Sequence, residues 1–240
     1  MRLGRSIHRF FQIRSPLFNI PRLSLWTPVL PHTQYNDVQH LTPSTVQPSP
    51  LDQFRTWFAA AAAANVHEPE AMSLSTCTPD GLPSARIVLF KQIDARGFVF
   101  FTNYTSRKSA ELLANPNAAL VFYWREVSRQ VRITGRVEKV SKEESEQYFN
   151  GRPLGSRLGA WASPQSSVVT EDEVQKRLEE VKARFGDAND IPLPDFWGGW
   201  RVIPSQVEFW SGKPSRLHDR VLYTRQTDGE DVWTIDRLAP

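Results

Sequence analysis

Cysteine is almost absent from these 240 residues; Cys77 stands alone. One thiol closes no intrachain disulfide and builds no multi-cysteine metal site, a usage that fits a reducing compartment. No run of about 18 apolar residues occurs, so no transmembrane helix and no membrane partner are expected. A Walker loop, a Rossmann glycine fingerprint, an HExxH pair and a nucleophile elbow are all missing. Enzymatic chemistry would therefore have to be carried by some other cofactor. Acidic residues are missing up to Asp37, while Arg2, Arg5, Arg9, Arg14 and Arg22 lie in that stretch. The predicted pI of 9.1 owes much to them. Without those five, 24 basic residues face 26 acidic ones, so bulk charge does not mark a polyanion binder and no nucleic-acid partner is expected.

The length suits one domain plus an extension and is enough to bury a sizeable core. Residues 1–49 form the expected extension and linker, largely disordered, with a globular domain over 50–240. The Arg-, Ser- and Phe-rich start has the composition of a mitochondrial presequence, or of a plain basic tail on a cytoplasmic protein. Pro43–Pro50, TPSTVQPSP with its preceding Thr42, is too rich in Pro and Ser to be expected to pack. A helix then follows from Pro50, with Leu51, Phe54, Trp57 and Phe58 on one face.

From Met72 to Ile133 the pattern is mostly strand. Met72–Thr78, Ser84–Ile93, Phe98–Thr102, Ala118–Trp124 and Gln130–Val140 are expected strands joined by hairpin-length turns. In the last of these Val131, Ile133, Gly135 and Val137 share one face. Ser141 with Glu144, and Thr170 with Glu173, read as capping boxes opening two helices; Gly186 stands at a C-cap position. The segment between them, GRPLGSRLGAWASPQSS, reads as a loop, in which Arg152 and Arg157 beside Ser156, Ser166 and Ser167 would suit an anion. Trp200–Trp210, Val221–Arg225 and Val232–Asp236 complete the strands. The fold class expected is mainly β, an antiparallel barrel with short flanking helices.

The stretch Arg86–Lys108, RIVLFKQIDARGFVFFTNYTSRK, carries the strongest local chemistry. Thr105 or Ser106 can cap a helix whose first turn holds Arg107 and Lys108. The helix dipole disfavours cations there, so two of them make more sense if an anion is present too. A solvated basic turn is the plainer alternative. Further on, WSGKPSRLHDR crowds Trp210, Arg216, His218 and Arg220 into one turn region.

Taken together, RIVLFK, FFTNYTSRK, RQVRITG, YFNGRP, GAWASPQSS, FWGGWRV, EFWSGKPSRLHDR and DRLAP, in this order, resemble the pyridoxine/pyridoxamine 5′-phosphate oxidase family from about Pro50 to Pro240. The resemblance implies a split β-barrel that works as a homodimer with FMN between the subunits. It implies FMN contacts at Arg86, Ile87, Val88, Leu89, Phe90, Lys91, Phe101, Thr102, Arg107, Lys108, Gln130, Gln165, Ser166, Trp210 and Arg220. It puts the substrate's phosphate on Lys91, Tyr148, Arg152 and Ser156, a donor set that suits a dianion. Arg216, Leu217 and His218 match the segment over the substrate's ring, with Arg216 and His218 as the catalytic pair. Two departures stand out: Tyr35 lacks the Arg that often precedes it in the N-terminal arm, and Glu68-Pro69 replaces a frequent Asp-Pro. Strand alternation puts Arg86 and Lys91 on opposite faces, so one of them must act from a strand end, a bulge or across the subunit boundary.

The implied reaction oxidises C4′ of pyridoxamine or pyridoxine 5′-phosphate to pyridoxal 5′-phosphate, with dioxygen as acceptor and peroxide as product. A split-barrel carrier or sensor that binds flavin or pyridoxal phosphate without turnover is the main alternative.

Overall fold

Alternating apolar and polar side chains build one large sheet, and the helices fill what it leaves open. The structure, a computed structural model, describes residues 34–35, 39–186, 190–227 and 231–240. Residues 34–240 form one compact unit. The presequence-or-tail reading of the first 33 residues falls outside the described residues. In chain order the elements are α1 (Pro50–Ala63), β1 (Ala71–Cys77), β2 (Pro83–Leu89), β3 (Gln92–Ile93), β4 (Phe98–Asn103), α2 (Arg107–Ala114) and β5 (Asn117–Trp124). Then come β6 (Arg129–Lys139), α3 (Lys142–Asn150), α4 (Leu154–Ala162), α5 (Glu173–Phe185), β7 (Trp197–Ser211), β8 (Asp219–Arg225) and β9 (Trp233–Leu238).

The strands pair antiparallel in the order β2-β1-β5-β6-β7-β4-β3, with β8 on β7 and β9 on β8. Strand β7 changes partner along its length: Trp197–Val202 pairs with β4, and Gln206–Ser211 with β8. Pro204 lies at the change, where a missing N–H costs no ladder bond. Opposite it, a register shift at Thr134/Gly135 brings the backbones so close that a Cβ on Gly135 would sit 2.0 Å from the Ile203 carbonyl oxygen. This divided partnership is what splits the barrel, and the mainly β, antiparallel split-barrel expectation holds.

Pro at the first position opens α1, which buries Leu51, Phe54, Trp57 and Ala61. Phe54 is fully buried; its ring lies 4.8 Å from Phe98, 4.9 Å from Phe122 and 5.4 Å from Phe90. Burying such a ring stabilises by about 1.5–3 kcal/mol. A second, smaller core of Phe149, Leu158, Ile191 and Trp197 sits under α3, α4 and α5.

Four local expectations need correction. The segment read as a loop after Arg152 contains α4, whose Leu158 and Ala162 are buried. The second capping box does not form: α5 starts at Glu173 behind Asp172, and the Thr170 hydroxyl bonds the Asp172 carboxylate instead. The strand expected over 84–93 breaks at Phe90–Lys91 into β2 and β3. The linker packs: Leu41 is buried, its N–H meets Asp219 Oδ2 at 3.1 Å, and Tyr223 donates its hydroxyl to the Gln47 carbonyl at 2.6 Å. The first box does form, with Ser141 Oγ accepting from the Glu144 N–H at 3.1 Å.

Candidate active site

The break at Phe90–Lys91 resolves the strand-parity problem, because Lys91 follows a strand end. Arg86 and Lys91 line one cleft of about 450 Å³, together with Ile87, Val88, Leu89, Phe101, Thr102, Lys108, Tyr148, Arg152, Ser156 and Gln165. That volume is in the range of small-molecule sites. Phe90 is placed differently: its ring is buried among Phe54, Phe58 and Phe98 in the barrel core, and takes no part in the cleft. A second hollow of about 330 Å³ shares Phe101, Thr102, Arg152, Ser156 and Gln165 and continues past Gly159 and Ser163.

The charge of the cleft is one-sided. Arg86, Lys91, Lys108 and Arg152 line it, and among the described residues no Asp or Glu does. Lys108 is buried on the first turn of α2, whose N-cap Ser106 makes no side-chain cap bond. Its ammonium meets neutral oxygens: Gln165 Oε1 at 3.1 Å and Thr102 Oγ1 at 3.2 Å. Burial and the Arg86 charge pull its pKa down. Arg152 Nη1 is buried without a hydrogen-bond partner, and its guanidinium lies 4.8 Å from the Trp197 ring centre. Burial lowers its pKa as well. Tyr148, Phe101 and Trp197 form a near-parallel aromatic wall, with Phe101 and Tyr148 3.9 Å apart at 14°.

Some expected residues stand apart from this cleft. Arg107 is exposed and donates Nε to Glu111 at 2.8 Å. Arg157 is buried within α4, and Ser166 and Ser167 are exposed, Ser166 at φ +72°; none of the three lines the cleft. The remaining residues form a second cluster. Gln130 pairs across β6 and β7 with Trp210, which pairs across β7 and β8 with Arg220. Arg220 is fixed by Glu208 at 2.8 Å and by the Ala239 carbonyl at 2.9 Å. His218 lies 4.6 Å from Trp210, ring to ring, and its Nδ1 accepts the Lys213 N–H at 3.0 Å. That bond leaves a neutral ring with its proton on Nε2; burial, then the Arg216 charge, lower its pKa. Ser215 and Arg216 both have left-handed backbones, φ +57° and +63°, and Leu217 is exposed.

Tyr35 reaches this cluster without the missing Arg. Its ring stands edge-on to Trp210 at 5.2 Å and to His218 at 5.8 Å, and its hydroxyl bonds that of Tyr123 at 2.9 Å. Gly212 makes room: a Cβ there would lie 2.5 Å from Tyr35 Cγ.

A family model described as pyridoxamine 5′-phosphate oxidase matches residues 58–185, and one described as the pyridoxine 5′-phosphate oxidase C-terminal dimerisation region matches residues 197–240. The chain belongs to the pyridoxamine 5′-phosphate oxidase family. Among curated relatives, the pyridoxine/pyridoxamine 5′-phosphate oxidase of Bordetella petrii is 59% identical over 192 residues, covering 80% of this chain and 90% of that one. The one from Trichormus variabilis is 55% identical over 204 residues, covering 85% and 94%. The crystal structure of PhzG from Burkholderia lata, in complex with tetrahydrophenazine-1-carboxylic acid, matches at 32% identity with a TM-score of 0.79, over 85% of this chain and 99% of that one. A pyridoxamine 5′-phosphate oxidase-related, FMN-binding protein from Nostoc punctiforme shares the fold at 20% identity and a TM-score of 0.63.

Two residues of this oxidase-family chain that sequence reasoning passed over support its cleft. Trp197 completes the aromatic wall and carries Arg152. Glu111, buried on α2, gathers the cations behind the cleft: it accepts from Arg107, from Arg86 at 3.4 Å, and from the Thr76 and Ser84 hydroxyls. Only its spacing of four from Arg107 was visible in the sequence. Burial alone would raise its pKa, but the bonds from Ser84, Thr76 and Arg107 outweigh it and bring the value to about 2. A depressed carboxylate pKa gives stability that is present above the unfolded value, near 4.5, and is lost as pH falls toward 2. The contribution is at most about 3 kcal/mol. Glu111→Gln should therefore lower stability at pH 7 by about 2 kcal/mol and flatten the pH dependence between 5 and 3. Urea unfolding at several pH values checks this; equal losses at pH 7 and pH 3 would contradict it.

Proposed function

We propose that this protein is an FMN-dependent oxidase that converts pyridoxamine or pyridoxine 5′-phosphate to pyridoxal 5′-phosphate, with dioxygen as acceptor and hydrogen peroxide as product. The observation that carries this reading is the acid-free cleft. Two of its four cations, Lys108 and Arg152, are half-buried or more and have no carboxylate partner among the described residues. A buried ammonium or guanidinium so placed calls for an anion supplied from outside the chain.

The donor set fits a phosphate-bearing flavin at one end. Lys108 and Arg86 line the cleft near the start of α2, where the helix terminus adds its own attraction for a phosphate. Residues 86–89 and Phe101–Thr102 would line the isoalloxazine. At the other end Lys91, Tyr148, Arg152 and Ser156 would hold the substrate's phosphate, with the Arg152 fork suited to two phosphate oxygens. Bound FMN would supply the redox chemistry, taking a hydride from C4′ and passing the electrons to dioxygen. The chain's own side chains bind, orient and polarise.

The second cluster has no place in the same cleft. Gln130, Trp210, Arg216, His218 and Arg220 lie around the β6–β7–β8 ladder, within the segments matching the main model and the dimerisation-region model. We infer that a second copy brings its cluster against the cleft, so the working unit is a homodimer. There His218 would donate from Nε2, because Nδ1 is already engaged, and so would position the substrate rather than accept its proton. Arg216 would stabilise charge at the reacting carbon. Arg216→Lys keeps the charge and loses the planar fork, so kcat should fall about tenfold with FMN content unchanged; an unaltered kcat removes the role.

The purified protein should carry flavin absorbance, and adding pyridoxamine 5′-phosphate in air should release peroxide and pyridoxal 5′-phosphate in equal amounts. A colourless protein that refuses added FMN overturns the reading. A yellow protein with no turnover points to the carrier or sensor instead.

A further inference from the structure

Arg201, on β7, is buried at 6% exposure and takes no part in the cleft. Its guanidinium engages three carboxylates from three elements. Nε donates to Asp94 at 2.8 Å, Nη1 to Glu138 at 2.9 Å, and Nη2 to both oxygens of Glu144 at 3.0 Å. Three acids on one buried base is more than neutralisation requires. Two of them, Asp94 and Glu144, also organise a wall of the cleft.

Asp94 organises the hairpin that begins at Lys91. Its Oδ1 accepts from Arg96 N at 2.7 Å and Gly97 N at 2.9 Å, closing the turn between β3 and β4. Lys91 N donates to the Val99 carbonyl at 2.9 Å, and Val99 is the β4 residue paired with Arg201. Arg201 thus grips this hairpin through both backbone register and side chain. Glu144 organises the opposite wall. It stands in the first turn of α3, one turn before Tyr148 and on the same helix face. Arg152 follows the end of that helix, with its N–H on the Phe149 carbonyl at 3.1 Å. One further bond, Gln92 Nε2 to Glu144 at 3.3 Å, ties the two walls directly.

We propose that Arg201 is a positioning residue that sets the spacing between Lys91 and the Tyr148–Arg152 wall, and so confers the preference for a phosphorylated substrate. This rests on the assignment of that end of the cleft to the substrate's phosphate. The role needs the planar fork. A lysine has the charge but presents one nitrogen, which cannot meet three carboxylates on separate elements at these distances.

Arg201→Lys tests it in the FMN-loaded enzyme. KM for pyridoxamine 5′-phosphate should rise about tenfold while kcat stays within about twofold and flavin content is unchanged. The kcat/KM for unphosphorylated pyridoxamine should not move, and calorimetric affinity for pyridoxal 5′-phosphate should fall by the same factor as KM rises. Glu144→Gln, which loosens only the α3 side, should move KM in the same direction by about threefold, and decides the matter if Arg201→Lys fails to fold. A role confined to stability would lower the melting temperature and leave KM and pyridoxal phosphate affinity native in the folded protein; that result overturns the proposal. If the wild-type protein itself binds neither phosphorylated compound, the assignment of the cleft falls first and this inference falls with it.

Discussion

Arg152→Ala should raise KM for pyridoxamine 5′-phosphate by about 100-fold, with kcat lowered less than tenfold and FMN still bound. The size follows from the state of the guanidinium before substrate arrives. Among the described residues one nitrogen is buried and unpartnered, and the group lies over Trp197 at 4.8 Å. Its cost of desolvation and ordering has already been met in folding, so nearly all of its attraction for a dianion appears as affinity. Charge-assisted hydrogen bonds to a phosphate are worth about 1.5–3 kcal/mol each, and a bidentate pair reaches the upper end. The effect belongs in KM because the proposed phosphate end is distinct from the carbon that reacts. Arg152→Lys should recover only part of it, since a point charge replaces a fork. Steady-state kinetics with the phosphorylated and unphosphorylated amines would separate the cases. Equal KM in wild type and Arg152→Ala would remove Arg152 from the phosphate, and a parallel rise for the unphosphorylated amine would make the change one of general packing.

How far the sequence foretold this arrangement depends on how local each cause is. The strands around Val131 and Ile133 and the helix bearing Phe54 announce themselves, because burial on one face imposes a period that composition records. Helix α4 does not, because Gly155, Ser156 and Gly159 dilute its pattern. Only the spacing of Leu154, Leu158 and Trp161 hints at it, and tertiary contact with α5 supplies the rest. The start of α5 differs for a related reason: Asp172 holds the cap position without a side-chain cap bond, its carboxylate being taken by the Thr170 hydroxyl and Lys176. The packed linker was missed because Pro and Ser signal irregular backbone, not exposure; Leu41 and Gln47 are held by partners 178 and 176 residues away.

Within the site the same distinction holds. Lys91 and Arg86 could be singled out as residues, but the break that lets both face one cleft follows from Phe90 turning into the aromatic core. Glu111, Trp197 and Arg201 look like an ordinary helix acid, an ordinary strand aromatic and an ordinary strand cation. Their work depends on groups gathered from β1, β2, α3 and the β3–β4 turn, which no short window contains. Trp210, Arg216, His218 and Arg220 were legible as a cluster. That they stand apart from the cleft of their own chain is a fact of topology: β7 turns from β4 to β8 at Pro204, and carries one group of residues away from the other.

Lys108→Met should weaken FMN binding by about 100-fold and, in the same protein, make the FMN-free form more stable. The two effects have one origin. In the free protein the ammonium is buried with neutral acceptors and a neighbouring Arg86, and its pKa is held below the ordinary lysine value. A lysine whose folded pKa lies below its unfolded one opposes folding while it is charged. The penalty is full below the folded pKa and disappears as pH rises toward the unfolded value. Methionine keeps most of the volume and removes the charge. Gln165 Oε1 still accepts the Thr102 hydroxyl at 2.9 Å, and the loss is confined to the long 3.5 Å contact with Ser106 Oγ. The gain is about 1 kcal/mol, or roughly 2–4 °C in melting temperature for a chain of this size. A bound phosphate reverses the balance: the charge that opposed folding becomes the partner of a dianion, and its loss then costs affinity. Melting curves of the apo and FMN-loaded forms of both proteins read the two signs directly. FMN should raise the melting point of the wild type much more than that of Lys108→Met. Equal shifts would take Lys108 out of the flavin site, and a less stable apo variant would mean that its ammonium is satisfied within the chain after all.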